Sequence, residues 1–282
     1  MESILGQHTM KPLCGLLAVL ALGAGVGACV GDRPGNTEDR TPSGDLPTLR
    51  YVGSSTIGNF VRDAEAAYTG AQFVIDTEPE SAGGEQAILE GLADIAGVAA
   101  VPHPDTLEKG VVATLIGRDA IAVVVHRDNP LTSLTLEQLR RIFTGQVENW
   151  SEVGGTDLAV HPVIVSQASA TRKVFRSAVL READYAKCEV LRPDGAVIPK
   201  VAGDPGAIGQ VSVSFGAEGS GVRVLAVGGL QPQADNPDYP ITRPLYLLWW
   251  PGRETAAQFA AWARSEPGQQ IVMRRFVGAG SE

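Results

Sequence analysis

Residues 49–99 read LRYVGSSTIGNFVRDAEAAYTGAQFVIDTEPESAGGEQAILEGLADIAGVA, and the fold class follows from this stretch. Leu49 to Gly53 is short, apolar and β-prone, and Ile57 to Tyr68 places apolar side chains at helical spacing. Gln72 to Thr77 then reads as a strand, Gly84 to Leu92 as a helix and Asp94 to Ala99 as a third strand. Strands that alternate with helices at this spacing predict an α/β chain with a mainly parallel sheet and helices on both faces.

The alternation continues towards the C-terminus. A long apolar strand ending in AIAVVVH lies within Val111 to His126 and is followed by the turn Arg127-Asp128-Asn129-Pro130. Leu134 to Phe143 predicts a helix capped by Thr135 and stopped at Gly145. Further strands are expected at Ala159 to Val165, Val222 to Val227 and Leu245 to Trp250, with a helix at Thr171 to Leu180. A last helix, Glu254 to Arg275, is expected to break at Pro267-Gly268. The pattern divides into two lobes, the first built from residues 48–127 and 228–282 and the second from residues 128–227. The crossings fall near His126 to Pro130 and between Gly228 and Arg243. A ligand is expected in the cleft between lobes, where strand ends and helix N-termini meet.

Upstream, Leu13 to Ala28 is an uncharged run preceded by Lys11, of the length of a secretory signal's apolar region and shorter than a membrane span needs. It ends in Val26-Gly27-Ala28-Cys29, which resembles a bacterial lipobox whose cysteine is lipidated. Residues 1–29 are therefore expected to be a lipoprotein signal with Cys29 as the lipidation site; a plain transmembrane anchor is the alternative. Met10, directly before Lys11, is a second candidate start. Residues 30–47, rich in Gly, Pro, Asp and Thr, hold too little apolar surface to fold and read as a tether. This places the body outside the cytoplasmic membrane, in the periplasm or at the cell surface.

Of the 282 residues, 44% are hydrophobic and 20% charged, as in ordinary globular domains. A net charge of -9 disfavours a nucleic-acid partner, because phosphate backbones are held by basic surfaces. It does not oppose a small anion, which backbone N–H groups can hold locally. With Cys14 and Cys29 in the leader, Cys188 is left alone in the body, so no internal disulfide forms there. Cys188 reads as a small buried hydrophobe. His103, His126 and His161 stand singly, and no metal or cofactor is expected.

Three loops share one design, in which a strand ends, small hydroxyl or glycine residues follow, and a helix begins. They are Gly53-Ser54-Ser55-Thr56-Ile57-Gly58, Ser81-Ala82-Gly83-Gly84 and Ser166-Gln167-Ala168-Ser169-Ala170-Thr171-Arg172. Each offers unsatisfied backbone donors at the positive end of a helix. Taken singly each is an ordinary helix cap. Three together in a two-lobed chain point to an oxyanion site.

The run LTLEQLRRIFTGQVENWSEVGG, residues 134–155, resembles phosphate-binding proteins of the PstS type. So do Pro205-Gly206-Ala207-Ile208-Gly209, Tyr239-Pro240-Ile241-Thr242-Arg243-Pro244-Leu245-Tyr246 and the run from Glu266 to Val272. The resemblance covers Leu49 to the C-terminus. It implies a two-lobed periplasmic-binding-protein fold of type II that delivers inorganic phosphate or a related oxyanion to the membrane permease of an ABC importer, acting as a monomer without catalysis. It also implies that Phe143 and Trp150 are core residues, and that the anion contacts are Thr56, the Ile57 backbone, Ser81, Ser169, the Ala170 backbone and Thr171. The chain departs from the family pattern at Val165, where the family usually carries an arginine, and at Ala99, where some relatives carry an aspartate that takes a proton from hydrogen phosphate. Arg172, just after the third loop, is either a further ligand or half of a surface ion pair.

Other functions remain as alternatives. A surface signalling or assembly protein that has lost its ligand would fit those departures, and another solute such as sulfate would use the same loops. A hydrolase is disfavoured, since no Gly-x-Ser-x-Gly elbow is present.

Overall fold

A computed structural model describes residues 46–216 and 219–280. The predicted signal, Cys29 and the tether up to residue 45 lie outside the described residues. No helix among the described residues is long and apolar enough to cross a membrane.

The described residues form eleven strands: β1 (Thr48–Gly53), β2 (Gln72–Asp76), β3 (Ile95–Val98), β4 (Val112–His126), β5 (Ser133–Leu134), β6 (His161–Val165), β7 (Glu189–Leu191), β8 (Ala207–Ser212), β9 (Val222–Val227), β10 (Thr242–Trp249) and β11 (Val277–Gly278). Their helices are α1 (Ser55–Ala64), α2 (Glu80–Leu89), α3 (Pro104–Glu108), α4 (Leu136–Phe143), α5 (Ala170–Phe175), α6 (Val197–Ala202), α7 (Glu254–Arg264) and α8 (Glu266–Val272). The main path of the sheet runs β2-β1-β3-β10-β4-β8-β6-β7.

The expectation of a mainly parallel sheet is corrected here. β1 pairs in parallel with β2 and β3, and β6 with β7 and β8, but β10 and β4 run antiparallel to their neighbours. The reason is β4. Its first residues, Val112 to Ala120, pair with β10, and from Ile121 to His126 it pairs with β8 and β9. One continuous strand therefore serves both halves of the sheet, and the partners change between Ala120 and Ile121, upstream of the turn at residues 127–130.

Alternation along the strands builds a core on each face. Ile121, Val123 and Val125 point into a cluster with Leu139, Phe143, Trp150 and Phe175, while Ala122 and Val124 point into one with Val163, Val197 and Val211. Likewise Leu245 and Leu247 join Tyr51, Phe60 and Phe259, whereas Leu248 joins Ile88, Ala96 and Val98. Phe143 and Trp150 are fully buried, and the Trp150 indole N–H donates to the Gly206 carbonyl at 3.1 Å. α4 opens on the Thr135 cap, where Thr135 Oγ1 accepts from the Gln138 N–H and Gln138 Oε1 accepts from the Thr135 N–H.

Several boundaries differ from the sequence reading. α1 ends at Ala64, and the next residues, Glu65 to Ala67, form an exposed turn. The C-terminal helix breaks at Ser265, before Pro267, which occupies the first turn of α8 where a missing N–H costs nothing. The most consequential shift is at α2, which begins at Glu80, so Ser81 lies in its first turn rather than in a loop.

Close backbone contact sets the position of α2. A methyl group added at Gly84 would stand 2.8 Å from Gly53 Cα and 2.9 Å from the Val52 carbonyl oxygen. Gly53 has φ +140, a conformation that L side chains rarely adopt. The bare backbones at Gly53, Gly84 and Gly97 let α2 rest directly on the ends of β1 and β3. Gly84→Ala is therefore expected to lower stability by about 1–3 kcal/mol through overpacking, read as an earlier urea midpoint with an unchanged slope.

Candidate functional site

Two charged residues are buried within long, largely apolar strands, Asp119 in β4 and Arg243 in β10. They are register partners beside the point where β4 passes between the two halves. Arg243 Nε donates to Asp119 Oδ2 at 2.9 Å, and the side chains are only 1% and 0% exposed. A buried guanidinium needs its remaining N–H groups satisfied. Nη1 donates to Thr171 Oγ1 and Nη2 to Thr56 Oγ1, each at 2.9 Å. Asp119 Oδ1 accepts from the Ser212 hydroxyl at 2.9 Å. One cation thus ties the first turn of α1 to the first turn of α5.

The loops close around that centre. Ile57 N–H faces Ser54 Oγ at 3.5 Å, a long cap contact. Ser81 Oγ accepts from the Ala99 N–H at 3.2 Å, which leaves the Ser81 hydroxyl proton free to donate. Ala82 N–H donates to the Ala168 carbonyl at 3.2 Å, joining the second loop to the third. Ser169 caps α5 by accepting from the Thr171 N–H at 3.1 Å. Asp194 Oδ2 accepts from the hydroxyls of both Ser169 and Thr171 at 2.7 Å. Thr56, Ile57, Ser81, Ser169, Ala170 and Thr171 are all buried, and a cavity of about 70 Å³ opens on Ser81, Ser169 and Ala170.

Polar atoms are left over. Among the described residues, Ser55 Oγ, Glu80 Oε1 and Ser166 Oγ are buried polar atoms without a hydrogen-bond partner, in or directly beside the three loops. Buried polar atoms are seldom left unpaired, so each such atom calls for an explanation. Glu80 Oε2 accepts from the Ser55 N–H at 3.1 Å. Burial and the nearby Asp194 charge push the Glu80 carboxyl up to about 7, against the pull of the Ser55 N–H, of the Ser55 side chain and of Arg243. Burial also raises Asp194, with the Ser169 and Thr171 hydroxyls and Arg243 opposing it.

The sequence reading did not identify Ser55, Glu80, Asp119, Asp194 or Arg243 as site residues. Asp119 and Arg243 carried a usable signal, because a charge inside an apolar strand has to meet a counter-charge when the strand is buried. Asp194 carried none, since it reaches the site from a turn distant in sequence. Val165 is a buried strand end, and Ala99 is buried with its N–H on Ser81. Arg172 does not join the Arg243 cluster. Its guanidinium lies 5.2 Å from the centre of the Tyr185 ring, and it lines a separate cavity with Lys173 and Arg176. Cys188 is half-buried, and burial pushes its thiol up to about 11. Among the described residues no group of three or more His, Cys, Asp or Glu side chains could hold a metal ion.

Comparison with known proteins places this arrangement. The model of the PBP superfamily domain matches residues 36–267, and the chain belongs to that superfamily. It is 26% identical to the phosphate-binding protein PstS of Pseudomonas aeruginosa, over 94% of this chain and 93% of that protein. With PstS of Bacillus subtilis it shares 32% identity over 43% of this chain and 41% of that protein. A Clostridium perfringens protein, described as a phosphate ABC transporter substrate-binding protein and solved with bound phosphate, superposes with a TM-score of 0.76. That match has 26% identity and covers 83% of this chain and all of that one. The expectation of a two-lobed α/β binding-protein fold is met.

The Glu80 carboxyl has a consequence for stability. An acid raised from 4.5 to about 7 on folding favours the folded state only while protonated. Below about pH 4.5 it is protonated in both states, between there and about pH 7 stability falls, and above that the loss is complete. Glu80→Gln is therefore expected to match the parent protein at pH 4 and to exceed it at pH 8, by an amount on the order of 3 kcal/mol. Urea unfolding at the two pH values is the check.

Proposed function

We propose that this PBP-superfamily chain is an extracytoplasmic solute-binding protein that takes an oxyanion, inorganic phosphate above all, for uptake by an ABC importer. The observation that carries the reading is the convergence of three strand-to-helix loops from both halves on one buried point that retains unpaired hydroxyls. Its full-length similarity to phosphate-binding relatives supports the choice of anion.

In this reading the lobes are residues 48–120 with 242–280, and residues 121–241, hinged where β4 leaves its pairing with β10 and where the chain returns to enter β10. The anion lies between them against Thr56, the Ile57 backbone, Ser81, Ser169, the Ala170 backbone and Thr171. First-turn N–H groups lack intrahelical acceptors, and the Ile57 N–H is held only by its long contact to Ser54 Oγ. Arg243 is a positioning residue. By donating to Thr56 Oγ1 it turns that hydroxyl's proton outward, and its charge, shielded from water, favours an anion nearby. The absent loop arginine at position 165 is thus offset by a cation from the hinge. A polar, donor-rich cleft opposes a ligandless role.

The protein acts as a monomer in this reading and hands its anion to a membrane permease. Residues 1–29 serve as the export signal, with lipidation at Cys29 and residues 30–47 as the tether. The sequence Val26-Gly27-Ala28-Cys29 supports this. Fatty-acid labelling of the protein in cells should be lost in Cys29→Ala, and labelling that persists would exclude that site.

Titration calorimetry of the full chain, unfolded and refolded to remove carried ligand, tests the binding. Phosphate should bind, and Thr56→Val and Ser81→Ala should each weaken it by about 10–100-fold, as loss of a hydrogen bond to a charged group does. Absence of phosphate binding in the parent protein would end this reading.

A further inference from the structure

Glu80 is an unusual occupant of its position. It is 2% exposed and has a left-handed φ of 55, which glycine adopts without strain and other residues adopt at a cost. Its carboxyl reaches from the first turn of α2 to the first turn of α1, where one oxygen holds the Ser55 N–H and the other meets no partner. The hydroxyl of that same Ser55 lies close to the carboxyl, without hydrogen-bond geometry, and favours its charged form. A carboxylate therefore stands among the donors that, in the reading above, hold the anion.

We propose that Glu80 makes occupancy of this cleft proton-linked: the oxyanion is held together with one proton on the Glu80 carboxyl, and ionisation of Glu80 releases it. The inference rests on the oxyanion reading and adds to it the condition under which the site fills. Two like charges in one enclosed site repel strongly, and a proton taken from solvent by the carboxyl removes one of them.

The surrounding groups favour that proton. Asp194 sends a second negative charge towards Glu80 from the far lobe, and Arg243 on β10 opposes it. Arg243 is already engaged by Asp119, which limits what it can neutralise. From β1 the buried Tyr51 faces Glu80 with its hydroxyl donating to the Ser54 carbonyl, while Arg50 is held at the surface by Asp94. β3 brings no titratable side chain, and Tyr246 of β10 packs in the apolar cluster behind α2. On α5, Arg172 lines the separate cavity beside Tyr185, whereas Lys173 lines both that cavity and, with Glu85 of α2, the one that opens on Ser81, Ser169 and Ala170, where the two bring opposite charges. With burial dominant and Asp194 adding to it, Glu80 changes charge near pH 7, so the linkage operates around neutrality.

The test is calorimetric titration of the full chain with inorganic phosphate from pH 5.5 to 9, in two buffers of different ionisation heat. The parent protein is compared with Glu80→Gln and with Glu80→Gly, whose backbone suits the left-handed φ. Phosphate's own ionisation is common to all three and cancels in the ratio. Parent affinity relative to either variant should fall by up to tenfold per pH unit above about pH 7, with extra proton uptake approaching one per anion in the parent only. A ratio that stays constant with pH in both variants overturns the inference and leaves the oxyanion reading intact. If no protein gives heat with phosphate at any pH, the oxyanion reading fails and the proton linkage fails with it.

Discussion

The Arg243–Asp119 pair is the constraint on which the rest of the site depends. It lies on β4, the strand that serves both halves of the sheet, and on its partner β10, beside the point where β4 exchanges β10 for β8 and β9. Removing one member of such a pair leaves the other charged and dry, which typically costs about 3–5 kcal/mol. A pair of this kind is weak evidence for stability in itself, but it fixes geometry. The guanidinium is planar with its donors in a rigid fork, so the positions of Asp119, Thr56 and Thr171 are set together. The helices that open on Thr56 and Thr171 belong to opposite halves, and their approach is measured against that one cation.

Around it the backbone has been brought as close as glycine allows. α2 sits against the ends of β1 and β3 because Gly84, Gly53 and Gly97 carry no side chain there. This places Ser81 in a first turn, with its hydroxyl on the Ala99 N–H, and lets the second loop bond to the third. The same closeness buries Glu80. Stability and binding are in tension at that residue, since its strained backbone and desolvated carboxyl both oppose folding at neutral pH while the carboxyl controls the charge of the cleft.

The alternation of strand and helix was legible because periodicity is local. Leu49 to Gly53 and Gln72 to Thr77 read as strands for the same reason they form them, and α4 announces itself through Thr135 and Gln138. The short strands β5 and β7 were not legible, since so few residues carry no period of their own. The direction of β10 was not legible either. A strand's apolar alternation is the same whichever way its neighbours run, so the mixed character of the sheet emerged only from the pairing.

The sequence by itself determined the alternation of strand and helix, the family resemblance, and three hydroxyl-bearing loops at helix starts, because each is written in neighbouring residues. Only the tertiary structure decided which charges meet there. Asp119 and Arg243 are far apart in the chain, as are Glu80 and Asp194, and what sets their charge is burial and proximity, which no spacing along the sequence encodes.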